Sequence, residues 1–125
     1  MLVLGIIALA SFIASFTDWL CMDLLIHRFY EREPDTWRPN TGPTRIVLSQ
    51  IIGTIASAAV IGLCWLVPGR PLLVAGLAWC AGPLPVILQN LQWIRMHPAV
   101  AAGHATGWLA RLLIACELAG WLLPR

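Results

Sequence analysis

Three stretches of this sequence, Met1–Thr17, Ile46–Val67 and Leu72–Leu88, carry no charge, and a fourth, Pro98–Leu123, carries only Arg111 and Glu117. With their less polar flanks, all four reach the roughly 20 residues that a helix needs to cross a hydrocarbon core about 30 Å thick. Inside lipid every peptide group must be hydrogen-bonded within the protein, which leaves helices or a closed barrel. Barrel strands alternate apolar and polar residues, and the run IIGTIASAAVIGLCWLV does not. The expectation is an all-α integral membrane protein, a single domain over 1–125 folded as an antiparallel four-transmembrane-helix bundle. Its spans fall at about 2–26, 46–67, 72–94 and 98–123, with a long polar loop at 28–45. The charged content of 11% is under half of the roughly 25% usual in soluble domains and agrees with this.

The polar residues are concentrated rather than scattered. Asp18–Arg45 holds most of the acids and half of the arginines, and there is no lysine. Arg28, Arg32, Arg38, Arg45 and Arg95 fall on one side of the bundle, Arg70 and Arg125 on the other. The positive-inside rule then puts the long loop in the cytoplasm and both termini outside, in a bacterial inner membrane. The N-terminal apolar segment lacks a basic leader, so it reads as an uncleaved first span. Dispersed arginines argue against nucleic acid as a partner. Cys21, Cys64, Cys80 and Cys116 all lie inside spans without a CxxC spacing, so buried free thiols are expected in place of disulfides.

Along span 1, Leu4, Ala8, Ser11, Ser15, Asp18 and Met22 recur at three- and four-residue steps, a face expected to look into the bundle. The loop's Pro34, Pro39, Gly42 and Pro43 prevent a long helix, and Tyr30 and Trp37 suit the headgroup region. Should the loop dock a partner, Trp37 and Arg38 are its expected anchors. Span 2 has small-residue rows at Ser49, Gly53, Ser57 and at Thr54, Ala58, Gly62, which let helices approach closely. The VPGRP turn makes spans 2 and 3 antiparallel neighbours. GPLP at 82–85 should kink span 3 and free carbonyls near mid-membrane, followed by Gln89, Asn90 and Gln92. Span 4 opens at Pro98 and aligns Gly103, Gly107, Arg111 and Ala115, with His104 and Trp108 beside that line.

Two constellations could carry chemistry. Asp18 lies about 14 Å below the long-loop surface and Arg111 about 20 Å, at 1.5 Å per residue. Because helical side chains lean toward the N-terminus, Arg111 snorkels back toward the depth of Asp18. The pair reads first as an ion pair clipping span 1 to span 4, and second as an exchangeable carboxylate. Asp23, His27 and Glu31 share a helix face and could offer oxygen and nitrogen ligands to a divalent metal, but the same spacing is that of a solvated helix edge. They form a secondary polar group with Gln89, Asn90, His104 and Glu117. No P-loop, GxGxxG, HExxH, CxxCH or nucleophile motif is present, so no cofactor and no catalytic residue are expected.

The small-residue first span, the tryptophan-bearing exit at Trp19, Leu20, Leu24 and Leu25, the second tryptophan at Trp37 and the three further spans together resemble the bacterial four-helix membrane proteins grouped as domain of unknown function 1761. That pattern would have an aromatic pair where this chain has Leu20 and Cys21, and it lacks Asp18 and Asp23. The resemblance implies architecture and no activity. The function expected is a non-enzymatic accessory or structural membrane subunit, surrounded by the lipid bilayer and associating with itself or a larger membrane complex. The alternative is a small proton-coupled carrier or channel in which Asp18 titrates beside the span 3 kink. An enzyme acting on lipid through Asp23, His27 and Glu31 is the third reading.

Overall fold

A computed structural model describes residues 2–21, 24, 42–93 and 96–123, without the side chains of Asp18 and Arg45. Among these residues there is no strand, and the helices run α1 (Leu2–Cys21), α2 (Pro43–Leu66), α3 (Pro71–Ala81), α4 (Pro83–Trp93) and α5 (Pro98–Leu122). Helices α3 and α4 form one interrupted span, so four segments of 20 to 25 residues are long and apolar enough to cross a membrane. The all-α, four-span architecture expected from the sequence is the one observed.

Proline sets the helix starts. Pro43, Pro71, Pro83 and Pro98 each stand first in their helices, where the missing N–H costs nothing and the fixed φ suits the first turn. Helix α2 therefore begins three residues before the expected Ile46. Between α3 and α4, Gly82 adopts φ −115° and ψ −87°, and its N–H donates to the Ala78 carbonyl. The span is broken at this glycine, where the GPLP motif predicted a kink. The turn between α2 and α3 uses Gly69 at φ 87°, a left-handed conformation that glycine adopts without steric cost.

Helix α5 is the hub. It packs against every other helix, whereas α1 touches only α2 and α5, and α4 touches only α3 and α5. Its apolar window is 44% buried against 11% for the interrupted span. Gly103, Gly107, Arg111 and Ala115 are all buried along it, so the row identified in the sequence is the central seam of the bundle. Two contacts fix how α2 lies beside it. Arg111 meets Ser57 at a separation of 54 residues, and Cys116 meets Cys64 at 52. A nearly constant offset means that α2 and α5 run parallel and almost in register.

Helix α1 buries a different face from the one expected at its start. Leu4 is 69% exposed and Ala8 is also exposed, whereas Ala10, Ser11, Ala14 and Ser15 are buried and Val3, Ile6 and Ile7 pack against the core. The inward stripe is centred on Val3, Ile7, Ala10 and Ala14, roughly a quarter turn round the helix from the expected face, and Ser11 and Ser15 stand on the edge that the two share. The outer surface of the described residues is predominantly apolar, with Phe12, Ile13, Ile52, Ile55, Leu73 and Leu77 among its exposed residues. A soluble monomer rarely shows such continuous apolar cover. Each span also presents a tryptophan near one end, Trp19 and Trp93 toward the long loop and Trp65 and Trp121 toward the opposite face, all at least half exposed. Paired aromatic belts of this kind sit at the two headgroup levels of a bilayer.

Candidate functional site

The principal polar site is built around Arg111, halfway along α5 and only 3% exposed. Its Nε donates to Ser57 Oγ at 2.8 Å. Ser57 Oγ in turn donates to the Gly53 carbonyl at 2.9 Å, one turn back along α2. The guanidinium lies against Gly53 itself: a Cβ there would overlap the guanidinium nitrogens and stand 2.6 Å from Cζ. Gly53 therefore serves to leave room for the cation. The Trp108 ring closes another side, with its centroid 4.8 Å from Cζ, within range for a cation–π contact.

The direction of the side chain follows from the helix. A helical side chain leans toward its own N-terminus, and since α2 runs parallel to α5, the guanidinium reaches back past Ser57 to Gly53. The lean toward the helix N-terminus is as expected from the sequence, but the guanidinium ends buried in a protein seam. Gln50 stands one turn further along α2, with its Oε1 buried and without a hydrogen-bond partner among the described residues. On α1, Ser11 and Ser15 are buried, their hydroxyls donating to the carbonyls of Ile7 and Phe12 at 2.6 and 2.7 Å. Asp18 belongs to the same helix one turn beyond Ser15. Its side chain lies outside the described residues, and so does the Asp18–Arg111 pairing.

The other expected site residues fare differently. Asp23, His27, Tyr30, Glu31, Trp37 and Arg38 all lie outside the described residues. Gln89 is exposed and Asn90 half-buried on α4, which makes no contact with α1 or α2. The structure therefore does not bring Asp18's helix and these amides together. His104 and Glu117 are half-buried on α5. His97 caps α5, its Nδ1 accepting from the Ala99 N–H at 3.2 Å.

A second polar tie crosses the far side of α5, where Trp79 Nε1 of α3 donates to the Ala105 carbonyl at 2.9 Å. The cysteines correct the sequence reading. Cys64 and Cys116 form a disulfide between α2 and α5, with their Cα atoms 6.2 Å apart, while Cys21 and Cys80 are free. No local spacing announces this bond, because it depends on the parallel register of two helices that are separated by an intervening span.

Sequence reasoning found Arg111 and missed its immediate partners. Ser57 and Gly53 were legible only as a small-residue row. That they serve a cation follows once α2 and α5 are known to run parallel. No family model, curated protein or solved structure matches the chain.

Proposed function

We propose that this chain is a small integral membrane protein acting as a non-enzymatic accessory or structural subunit, in a bacterial inner membrane with the long loop cytoplasmic and both termini outside. The observation that carries this reading is the enclosure of Arg111. Its guanidinium is held by Ser57, Gly53 and Trp108 in a closed seam between helices, as suits a side chain that fixes the packing of α2 against α5. A catalytic or transported-ion site would instead present its charge to a space that substrate can enter.

The carrier alternative draws on the broken span at Gly82. However, α1, which bears Asp18, and the α3–α4 span share no contact and lie on different flanks of α5. A proton path joining Asp18 to Gln89 and Asn90 would have to cross the hub helix. Flux assays separate the readings: purified protein in liposomes should show no proton flux above empty liposomes, and flux abolished by Asp18→Asn would establish the carrier.

The exposed apolar flanks of α2 and α3 support association with a second copy or a larger membrane complex. After mild detergent extraction, the particle's protein mass should exceed one chain, or a second membrane protein should copurify at fixed stoichiometry. A bare monomer would remove the subunit reading while leaving the fold intact.

A further inference from the structure

The disulfide stands at the turn end of the bundle. Cys64 is two residues from the end of α2 at Leu66, so it lies within about one helical turn of the Val67–Arg70 turn. Both cysteines also line a cavity of about 360 Å³ whose other walls include Trp65, Pro71, Gly120 and Leu123. A bond whose task is only to hold two helices together can be sealed in packed side chains. This one shows a face to an open space.

We propose that Cys64 and Cys116 form a thiol–disulfide exchange site, reached through this cavity, that reacts with disulfide-bearing oxidants and thiol reductants on the side of the membrane holding the Val67–Arg70 turn. The proposal rests on the four-span reading and, for its sidedness, on the orientation proposed above. The Cα separation of 6.2 Å lies within the range that a disulfide bridges without backbone movement. The parallel register of α2 and α5 holds the two residues at one depth in either redox state. Cys64 is 9% exposed and Cys116 is fully buried, so Cys64 is the sulfur that an incoming reagent meets and Cys116 resolves the adduct. Disulfides persist on the oxidising side of a membrane. The arginine distribution, an independent signal, puts the same turn outside the cytoplasm.

In the oxidative direction the Cys64 thiolate attacks one sulfur of a disulfide R–S–S–R, forming a mixed disulfide and expelling one thiolate, which takes up the Cys64 proton. The Cys116 thiolate then attacks the Cys64 sulfur, the intramolecular bond forms, and the second thiolate leaves with the Cys116 proton. Two electrons and two protons pass from the protein to the oxidant, which becomes two thiols. Reduction by a dithiol is the same sequence reversed. Cys21 and Cys80, free and on other helices, act as internal references.

The first test counts thiols. Cells are quenched in acid, and the denatured protein is alkylated with a mass-tagged maleimide. The expected result is two tags before reductant and four after, with three before reductant in Cys64→Ser or Cys116→Ser. Four tags at the outset would overturn the proposal. The second test places the folded protein in lipid nanodiscs in mixtures of reduced and oxidised glutathione. The pair should convert between its two states without unfolding, and Gly120→Leu should slow conversion roughly tenfold by restricting access. The first added carbon at Gly120 would stand 3.9 Å from Pro71 Cγ, so the substitution grows into the cavity without an initial clash. Conversion only after denaturation, or an unchanged rate in Gly120→Leu with the helices intact by circular dichroism, would overturn the exchange site. The third test adds a membrane-impermeant reductant to sealed cells and to inverted vesicles. Reduction in sealed cells supports the assigned side. Reduction only in inverted vesicles overturns that side and the orientation reading, while the first two tests still decide the chemistry.

Discussion

The two joints between α2 and α5 lie about two helical turns apart on the same pair of helices and work by opposite means. At mid-depth Arg111 is held by Ser57 and Gly53, and the contact exists because one residue contributes no side chain. Toward the turn, Cys64 and Cys116 are bonded covalently and sit beside an open cavity. The polar joint tolerates no change of shape, since a buried cation must keep its acceptors and its space. The covalent joint does not rely on close packing around it, so a space can persist there. This difference separates structural reinforcement from exposed chemistry in a chain this small, and four measurements bear on it.

The largest effect belongs to the polar joint. Arg111→Met should destabilise the bundle by about 3–5 kcal/mol if Arg111 pairs with Asp18, because it strands the carboxylate in the seam. Asp18→Asn should be similarly damaging. Replacing Asp18 with Leu and Arg111 with Met together should cost less than either single change, since the buried charge is removed entirely. Reversible unfolding in bilayer discs reads all three. Equal losses in the single and double variants would remove Asp18 from the account and leave Ser57 and Trp108 as the cation's principal neighbours.

Next comes shape. Gly53→Ala puts a methyl where the guanidinium now lies. An arginine head is flexible, but this one is almost fully buried and bonded to Ser57, so displacing it should cost about 1–3 kcal/mol. The diagnostic is suppression by Arg111→Met, which empties the space: Gly53→Ala should be close to neutral on that background. If Gly53→Ala is harmless with Arg111 present, the guanidinium has another place to go and the joint is looser than the geometry implies.

The covalent joint should matter less to equilibrium stability than its loop of 52 residues would indicate in water. A disulfide closing so long a loop in a soluble protein is worth about 4 kcal/mol through the entropy of the unfolded chain. Helices that remain inserted after losing their mutual contacts have much less of that entropy to lose. Cys64→Ala with Cys116→Ala is therefore expected to cost about 1–2 kcal/mol, in the low part of the range measured for disulfides. Under the same unfolding measurement, a loss greater than that of Arg111→Met would reverse the ranking of the two joints.

How far these features could be read beforehand depends on whether each is local. Span number, the break at GPLP and the buried row Gly103–Gly107–Arg111–Ala115 were legible because lipid imposes length and apolarity on consecutive residues and a helix imposes a period on near neighbours. The inward face of α1 was legible only around Ser11 and Ser15, since the small and polar residues that suggested it stand at the edge of a buried stripe centred on the apolar Ile7, Ala10 and Ala14. The Arg111–Ser57 bond and the Cys64–Cys116 disulfide were not legible. Both need the lateral placement of α2 against α5, and nothing in either segment alone says that two helices separated by the α3–α4 span pack side by side. The loop constellation of Asp23, His27, Glu31, Trp37 and Arg38 lies outside the described residues.

The smallest expected effect tests whether α5 needs ties on both flanks. Trp79 reaches across from α3 to the Ala105 carbonyl and packs against the disulfide's apolar cluster of Cys64, Ala75, Leu112 and Cys116. Trp79→Phe keeps most of the ring contact and deletes the N–H. Hydrogen bonds between membrane helices average only about 0.6 kcal/mol, because the separated helices find other partners for the same groups, and Ala105 can still use its carbonyl within α5. The expected loss is therefore about 0.6 kcal/mol. Trp79→Ala should lose several times more, because it also opens a cavity in the apolar cluster that contains Cys64 and Cys116. The cluster is where the flanks become coupled: if its packing controls access to the disulfide, Trp79→Ala should speed thiol exchange at Cys64 while Trp79→Phe leaves the rate unchanged. Equal exchange rates in both variants would show that the apolar cluster stabilises the bundle without guarding the cysteines.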